Sequence, residues 1–139
     1  MVERARAKCA AAGFAGRFLI GDAGELPREG EVFGVVLARH LVWTLPEPEA
    51  ALRAWVGRVR PGGRLVLVEG RWREADRDDV PYVAGAEALP WRGGIGADDL
   101  AAAVRPLVGG PVRVQRLDGE RDLWGGAVTG ERYALIARV

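Results

Sequence analysis

The stretch Arg17-Phe18-Leu19-Ile20-Gly21-Asp22-Ala23, then Val32-Phe33-Gly34-Val35-Val36-Leu37-Ala38, then Arg60-Pro61-Gly62-Gly63-Arg64-Leu65-Val66-Leu67-Val68, decides the fold. Short apolar runs bounded by Gly, Pro and Asp read as strands. A helix-like segment between the last two runs makes them a parallel pair, which sets the class as α/β. Val32 to Ala38 is almost continuously apolar, the pattern of a strand covered on both faces. Gly34 is its one mildly unfavourable residue. Asp22, Arg39, His40 and Glu69 stand at the ends of these runs, where open α/β sheets place their ligands.

Working outward, Val2 to Ala12 reads as a helix, with Val2, Ala5, Cys9 and Ala12 on one face and Gly13 as its stop. Leu45-Pro46-Glu47-Pro48 opens the next helix. Pro48 suits the first turn, where its missing N–H is not needed, and Glu47 and Glu49 complement the dipole. Leu52, Trp55, Val56 and Val59 form its buried stripe, and Pro61-Gly62-Gly63 ends it before the strand Leu65 to Val68. Arg71 to Gly96 has little periodicity and reads as an insertion or lid, with one short helix near Arg73 to Asp79. Ala97 to Val108 is a further helix. Val112 to Leu117 and Tyr133 to Val139 are strands joined by a polar loop, Asp118 to Gly130, with Trp124 in it. No helix separates these last strands, so they form an antiparallel pair.

The chain has 139 residues, ordinary for one domain, and 49% of them are hydrophobic, enough for a core. A formal net charge of +1 gives no electrostatic case for nucleic acid or an anionic membrane. A single cysteine, Cys9, and a single histidine, His40, exclude an intrachain disulfide and Cys- or His-cluster metal sites. No apolar run approaches the roughly 20 residues that span a bilayer. Nothing after Met1 to Lys8 resembles a signal-peptide core. A soluble, cytoplasmic protein is expected.

Across Met1 to Gly70, the order of Gly21-Asp22-Ala23-Gly24-Glu25-Leu26-Pro27, Val32-Phe33-Gly34-Val35-Val36, Arg39-His40-Leu41-Val42-Trp43-Thr44-Leu45-Pro46 and Arg58-Val59-Arg60-Pro61-Gly62-Gly63-Arg64-Leu65 resembles class I S-adenosylmethionine-dependent methyltransferases. The likeness is to the small-molecule enzymes of that class. It implies a three-layer, mostly parallel Rossmann-like sheet with an antiparallel C-terminal strand. It also implies S-adenosylmethionine as cofactor and a small molecule as methyl acceptor. By position, Asp22 resembles the acid that accepts a hydrogen bond from the adenine amino group. Ala23 resembles the residue whose backbone N–H faces the ring. Arg39 matches the position that touches the methionine part of the cofactor. On spacing alone, Asp22 reads equally as a turn-forming Asp after glycine. The three roles require Asp22 and Arg39 to share one crevice.

His40 is the one side chain here that titrates near neutral pH unaided, so it is a candidate general base for a substrate hydroxyl or amine. A structural histidine at a strand-to-loop junction is the alternative, and the residues alone favour it. Trp43, Trp72, Trp91 and Tyr82 either line an apolar substrate pocket or patch the core beneath a long loop.

Two departures from the family stand out. No glycine cluster follows a strand and opens a helix, which is the context of the family's cofactor-binding loop. Gly34 also stands where the family usually has Asp. Met1-Val2-Glu3-Arg4-Ala5-Arg6-Ala7 resembles the family's helix after its second strand. The expectation is therefore one domain over 1–139, a C-terminal part of a methyltransferase incomplete at its N-terminus, with a lid at about 71–96. That arrangement exposes the edge of Val32 to Ala38, for the strand at Phe18 to pair with or for a second copy of the chain to cover. The alternative function is a non-catalytic remnant that acts by association. A different nucleotide-binding module is disfavoured by the lack of any phosphate-cradling loop.

Overall fold

The computed structural model describes residues 2–26, 30–71 and 85–139. In chain order the elements are α1 (Val2–Ala11), β1 (Phe33–Arg39), α2 (Pro48–Val56), β2 (Val59–Arg71), α3 (Ala97–Val104), β3 (Val112–Arg116), α4 (Arg121–Trp124) and β4 (Glu131–Arg138). The four strands form one sheet in the order β1-β2-β4-β3. β1 runs parallel to β2, and β4 inserts antiparallel between β2 and β3. The expected α/β class and antiparallel closing strands are present. The parallel pair follows from α2, whose Pro48 opens the helix and whose length carries the chain back across the sheet.

The register sorts every strand residue onto one of two faces. Val36 and Ala38 lie beside Leu65 and Leu67, which lie opposite Ala137 and Leu135. That face carries the core: Leu65, Leu67, Leu135 and Ala137 are fully buried against Leu52 and Trp55 of α2 and Leu100 and Val104 of α3. Burying such side chains stabilises by roughly 1.5–3 kcal/mol each. The other face holds Val35, Leu37, Val66, Val68 and Ile136, and neither α2 nor α3 covers it. Val35 is 53% exposed and Leu37 64% exposed. The apolar run of β1 therefore has one covered face, not two, which corrects the expectation drawn from its continuity.

Other differences are local and have physical causes. Phe18 to Ile20 forms no strand, and Ile20 is 88% exposed. A short apolar run holds an extended form only when a neighbouring strand takes up its backbone groups, and β1 pairs with β2 alone among the described residues. α1 forms where expected but buries none of its residues. Pro61-Gly62-Gly63 lies inside β2 rather than before it. The register jumps there, from Phe33 beside Val59 to Val35 beside Arg64, which marks a bulge. The bulge is pinned by Gly62 N–H donating to the Val139 carbonyl at 2.7 Å and Val139 N–H donating to Gly63 at 3.1 Å. The helix expected over Ala97 to Val108 is α3 followed by a 3₁₀ turn, Arg105–Leu107. The loop before β4 contains α4, too short for the sequence pattern to reveal. The helix expected near Arg73 to Asp79 lies outside the described residues. Among the described residues, no helix is long and apolar enough to cross a membrane.

Candidate functional site

β1 ends at Arg39, and the chain turns at His40 with a φ of 51°, a left-handed backbone that non-glycine residues seldom adopt. His40 N–H donates to the Val68 carbonyl at 2.9 Å, which holds the turn against the adjoining strand. One residue further along β2, Glu69 is fully buried. Its Oε1 accepts hydrogen bonds from Leu41 N–H at 2.9 Å and Val42 N–H at 3.0 Å. These are the leading amides of the 3₁₀ turn Val42–Thr44, so the carboxylate stands where a helix N-terminus favours negative charge. Oε2 has no hydrogen-bond partner among the described residues. Burial raises the Glu69 pKa, and the two amide hydrogen bonds pull it partly back. Thr44 Oγ1 closes the turn by donating to the Leu41 carbonyl at 2.7 Å.

This turn forms one wall of an open hollow of about 360 Å³ lined by His40, Trp43, Trp124, Val128 and Arg132. Trp124 comes from α4 and is oriented by its indole N–H, which donates to the Leu117 carbonyl at 2.8 Å. Its ring lies 5.7 Å from that of His40 at an interplanar angle of 54°. The guanidinium groups of Arg39 and Arg132 stand 5.5 Å and 6.0 Å from the same ring, within cation–π range. The His40 pKa is lowered by burial first, then by the positive charges of Arg39 and Arg132. The imidazole is therefore neutral near pH 7, the form a general base requires. Opposite Glu69 in the sheet, the Tyr133 hydroxyl donates to the Ile95 carbonyl at 2.9 Å. Burial, then the charges of Glu69, Glu131 and Asp99, raise its pKa and keep it protonated.

The structure brings Arg39 and His40 together with Trp43. It does not bring Asp22 and Ala23 to them. Asp22 Oδ1 accepts from Gly24 N–H at 2.7 Å, a turn closed by the side chain itself. The Ala23 carbonyl accepts from the Trp55 indole N–H at 2.7 Å, and the Leu26 carbonyl from Arg58 at 3.0 Å. Trp55 lies in the last turn of α2, and the Arg58 carbonyl accepts from Phe33 N–H, the first residue of β1. The Asp22 turn is thus anchored toward the N-terminal end of the strands, whereas Arg39 and His40 sit at the C-terminal end of β1. Trp91 packs against the core, and Trp72 and Tyr82 lie outside the described residues. The sequence reading missed Trp124 and Arg132. A lone tryptophan in a polar loop was the only signal for the first.

Taken by themselves these residues do not complete an S-adenosylmethionine site. The Asp22 carboxylate accepts from the Gly24 amide of its own turn, and among the described residues no glycine-rich turn joins a strand to a helix.

Residues 1–67 match the methyltransferase domain family. No functionally curated protein matches the chain in sequence. The [4+2]-cyclase SpnF is similar in structure, with a TM-score of 0.66 and 20% identity over 99% of this chain and 61% of that one. An O-methyltransferase family protein from Burkholderia thailandensis gives a TM-score of 0.64 and 20% identity over 98% of this chain and 40% of that one. The N-methyltransferase NodS from Bradyrhizobium japonicum, solved with S-adenosylhomocysteine, gives 0.61 and 15% over 99% of this chain and 62% of that one. The chain thus spans between 40% and 62% of these structures.

Proposed function

We propose, from its likeness in fold to class I S-adenosylmethionine-dependent methyltransferases and the match of residues 1–67 to the methyltransferase domain family, that this chain acts in methyl transfer to a small molecule. The observation that carries this reading is the Arg39–His40 turn at the C-terminal end of β1, latched by Glu69 and facing an aromatic hollow. Ligands of open α/β sheets bind at that end. Arg39 supplies a cation for the methionine end of the cofactor. His40, neutral near pH 7, is the candidate to take a proton from the acceptor, which enters over Trp43 and Trp124. Asp22 and Ala23 serve the adenine only after their turn leaves Trp55. We assign that rearrangement to the presence of a glycine-rich strand–turn–helix element that completes the cofactor floor.

The second reading is a non-catalytic module that works by association. The face and edge of β1 that are uncovered among the described residues favour it, as does the general point that one fold hosts unrelated reactions.

Calorimetric titration of the chain with S-adenosylhomocysteine separates the two. The methyltransferase reading expects saturable but weak binding, with a Kd on the order of 1 mM, weakened further in Arg39→Ala. Micromolar binding would refute the role given to the missing glycine-rich element. No binding by a folded chain would favour the association module.

A further inference from the structure

The aromatic hollow beside His40 has a charge as well as a shape. Its described lining residues, His40, Trp43, Trp124, Val128 and Arg132, are all half-buried, and none is an acid. The Trp124 ring is where the charge gathers. Arg39 reaches it from the end of β1 and Arg132 from β4, at 5.5 Å and 6.0 Å. Arg132 is held by its own strand: its Nη1 donates to the Glu131 carbonyl at 2.9 Å, and its backbone carbonyl accepts from Leu117 N–H at 2.8 Å. The acids of the adjoining strands are committed elsewhere. Glu131 takes Arg116 and the Ala97 amide, and Glu69 takes the amides of Leu41 and Val42. Burial and then the two guanidiniums disfavour a proton on His40, so an added positive charge is unwelcome in this hollow.

Resting on the methyl-transfer reading of this site, we propose that the methyl acceptor is a planar aromatic carboxylate, its ring against Trp43 and Trp124 and its carboxylate at Arg132, and that Arg132 is the residue that selects it. Two other classes of acceptor fit poorly. A cation is drawn to a bare indole face, but the Trp124 ring already has two guanidiniums beside it. An aliphatic acid would meet the charge and leave the ring faces unused. A carboxylate is repelled by the negative face of an indole, so an aromatic acid places its ring over the indoles and its charge on the lining guanidinium. Arg39 then stays with the methionine end of the cofactor, and each cation has one anion to hold.

The test reads binding to the full chain by amide and indole NMR, without turnover. The probes are 2-naphthoate, its cationic counterpart 2-naphthylmethylammonium and its saturated counterpart decahydro-2-naphthoate. 2-Naphthoate should shift the Trp43 and Trp124 indole signals saturably and bind about fivefold or more tightly than either counterpart. Arg132→Gln should abolish the preference over the cation and keep the preference over the saturated acid. Arg132→Lys should restore part of the first preference. Trp124→Leu should do the opposite of Arg132→Gln. If Trp124→Leu does not fold, the saturated probe on the parent chain tests the same contact. Equal binding of the three probes would overturn the proposal. So would unmoved indole signals with 2-naphthoate, or a preference unchanged in Arg132→Gln. Titration of the same samples with S-adenosylhomocysteine separates this inference from the reading beneath it. Cofactor binding without selection among the probes strikes the acceptor class alone. Selection of 2-naphthoate without cofactor binding supports the aromatic-acid site and strikes methyl transfer.

Discussion

Removing the Glu69 side chain should unfasten the turn that holds His40. In Glu69→Ala the amides of Leu41 and Val42 lose their acceptor, and each buried, unsatisfied N–H costs about 1–3 kcal/mol. Val42 is fully buried and Leu41 half-buried, which sets the expected loss at about 2–4 kcal/mol. Glu69→Gln keeps an oxygen for both amides and removes a charge that burial disfavours. It should stay within about 1 kcal/mol of the parent at neutral pH. The pH dependence separates the two contributions. The folded-state pKa of Glu69 is raised, so the native state holds the proton more tightly than the unfolded chain. The stability linked to that proton is present in full below the ordinary carboxylate pKa and is lost as pH rises through the raised value. Between those limits the parent should lose stability with rising pH and Glu69→Gln should not. Urea denaturation followed by tryptophan fluorescence at a series of pH values gives both numbers. Equal destabilisation by Ala and Gln, or an unchanged pH slope in Gln, would refute the reasoning.

Three further outcomes follow from the same contacts. The His40 imidazole should titrate below its ordinary value by NMR, and Arg39→Gln should raise it, since positive charge beside the ring disfavours protonation. Trp55→Phe keeps most of the ring in the core but loses the donor to the Ala23 carbonyl. It should cost about 1 kcal/mol and speed amide exchange at Gly24. Gly94 bridges Arg71 at a φ of 102°, and a Cβ there would overlap the Gly70 carbonyl oxygen. Gly94→Ala should therefore lower stability by about 3 kcal/mol or more in the same denaturation assay.

Much of the architecture was legible because its signals are local. Pro48 marks the start of α2, and the stretch between the closing strands is too short and polar for a crossover helix, holding only the single turn of α4. What covers a strand is not local. Val32 to Ala38 reads as buried on both faces, yet its sequence says nothing of whether a second layer is present, and among the described residues one face is uncovered. Phe18 to Ile20 carries a strand signal that only a neighbouring strand could realise. At the site, Arg39 and His40 were legible from the strand end they occupy. Glu69 stood at the next strand end, but its grip on the Leu41 and Val42 amides depends on a pairing 27 and 28 residues apart. Trp124 sits in a helix of 4 residues, below the length at which periodicity speaks. The adenine roles of Asp22 and Ala23 came from the family's order of motifs, and local contacts to Gly24 and Trp55 hold that turn elsewhere.

The most direct measurement is an amide and indole NMR titration of the full chain with S-adenosylhomocysteine, which registers weak binding residue by residue. The Arg39–His40 site predicts saturable shifts concentrated at Arg39, His40, Leu41 and the Trp124 indole. Saturable shifts confined to other parts of the sheet, with those four unmoved, would contradict it.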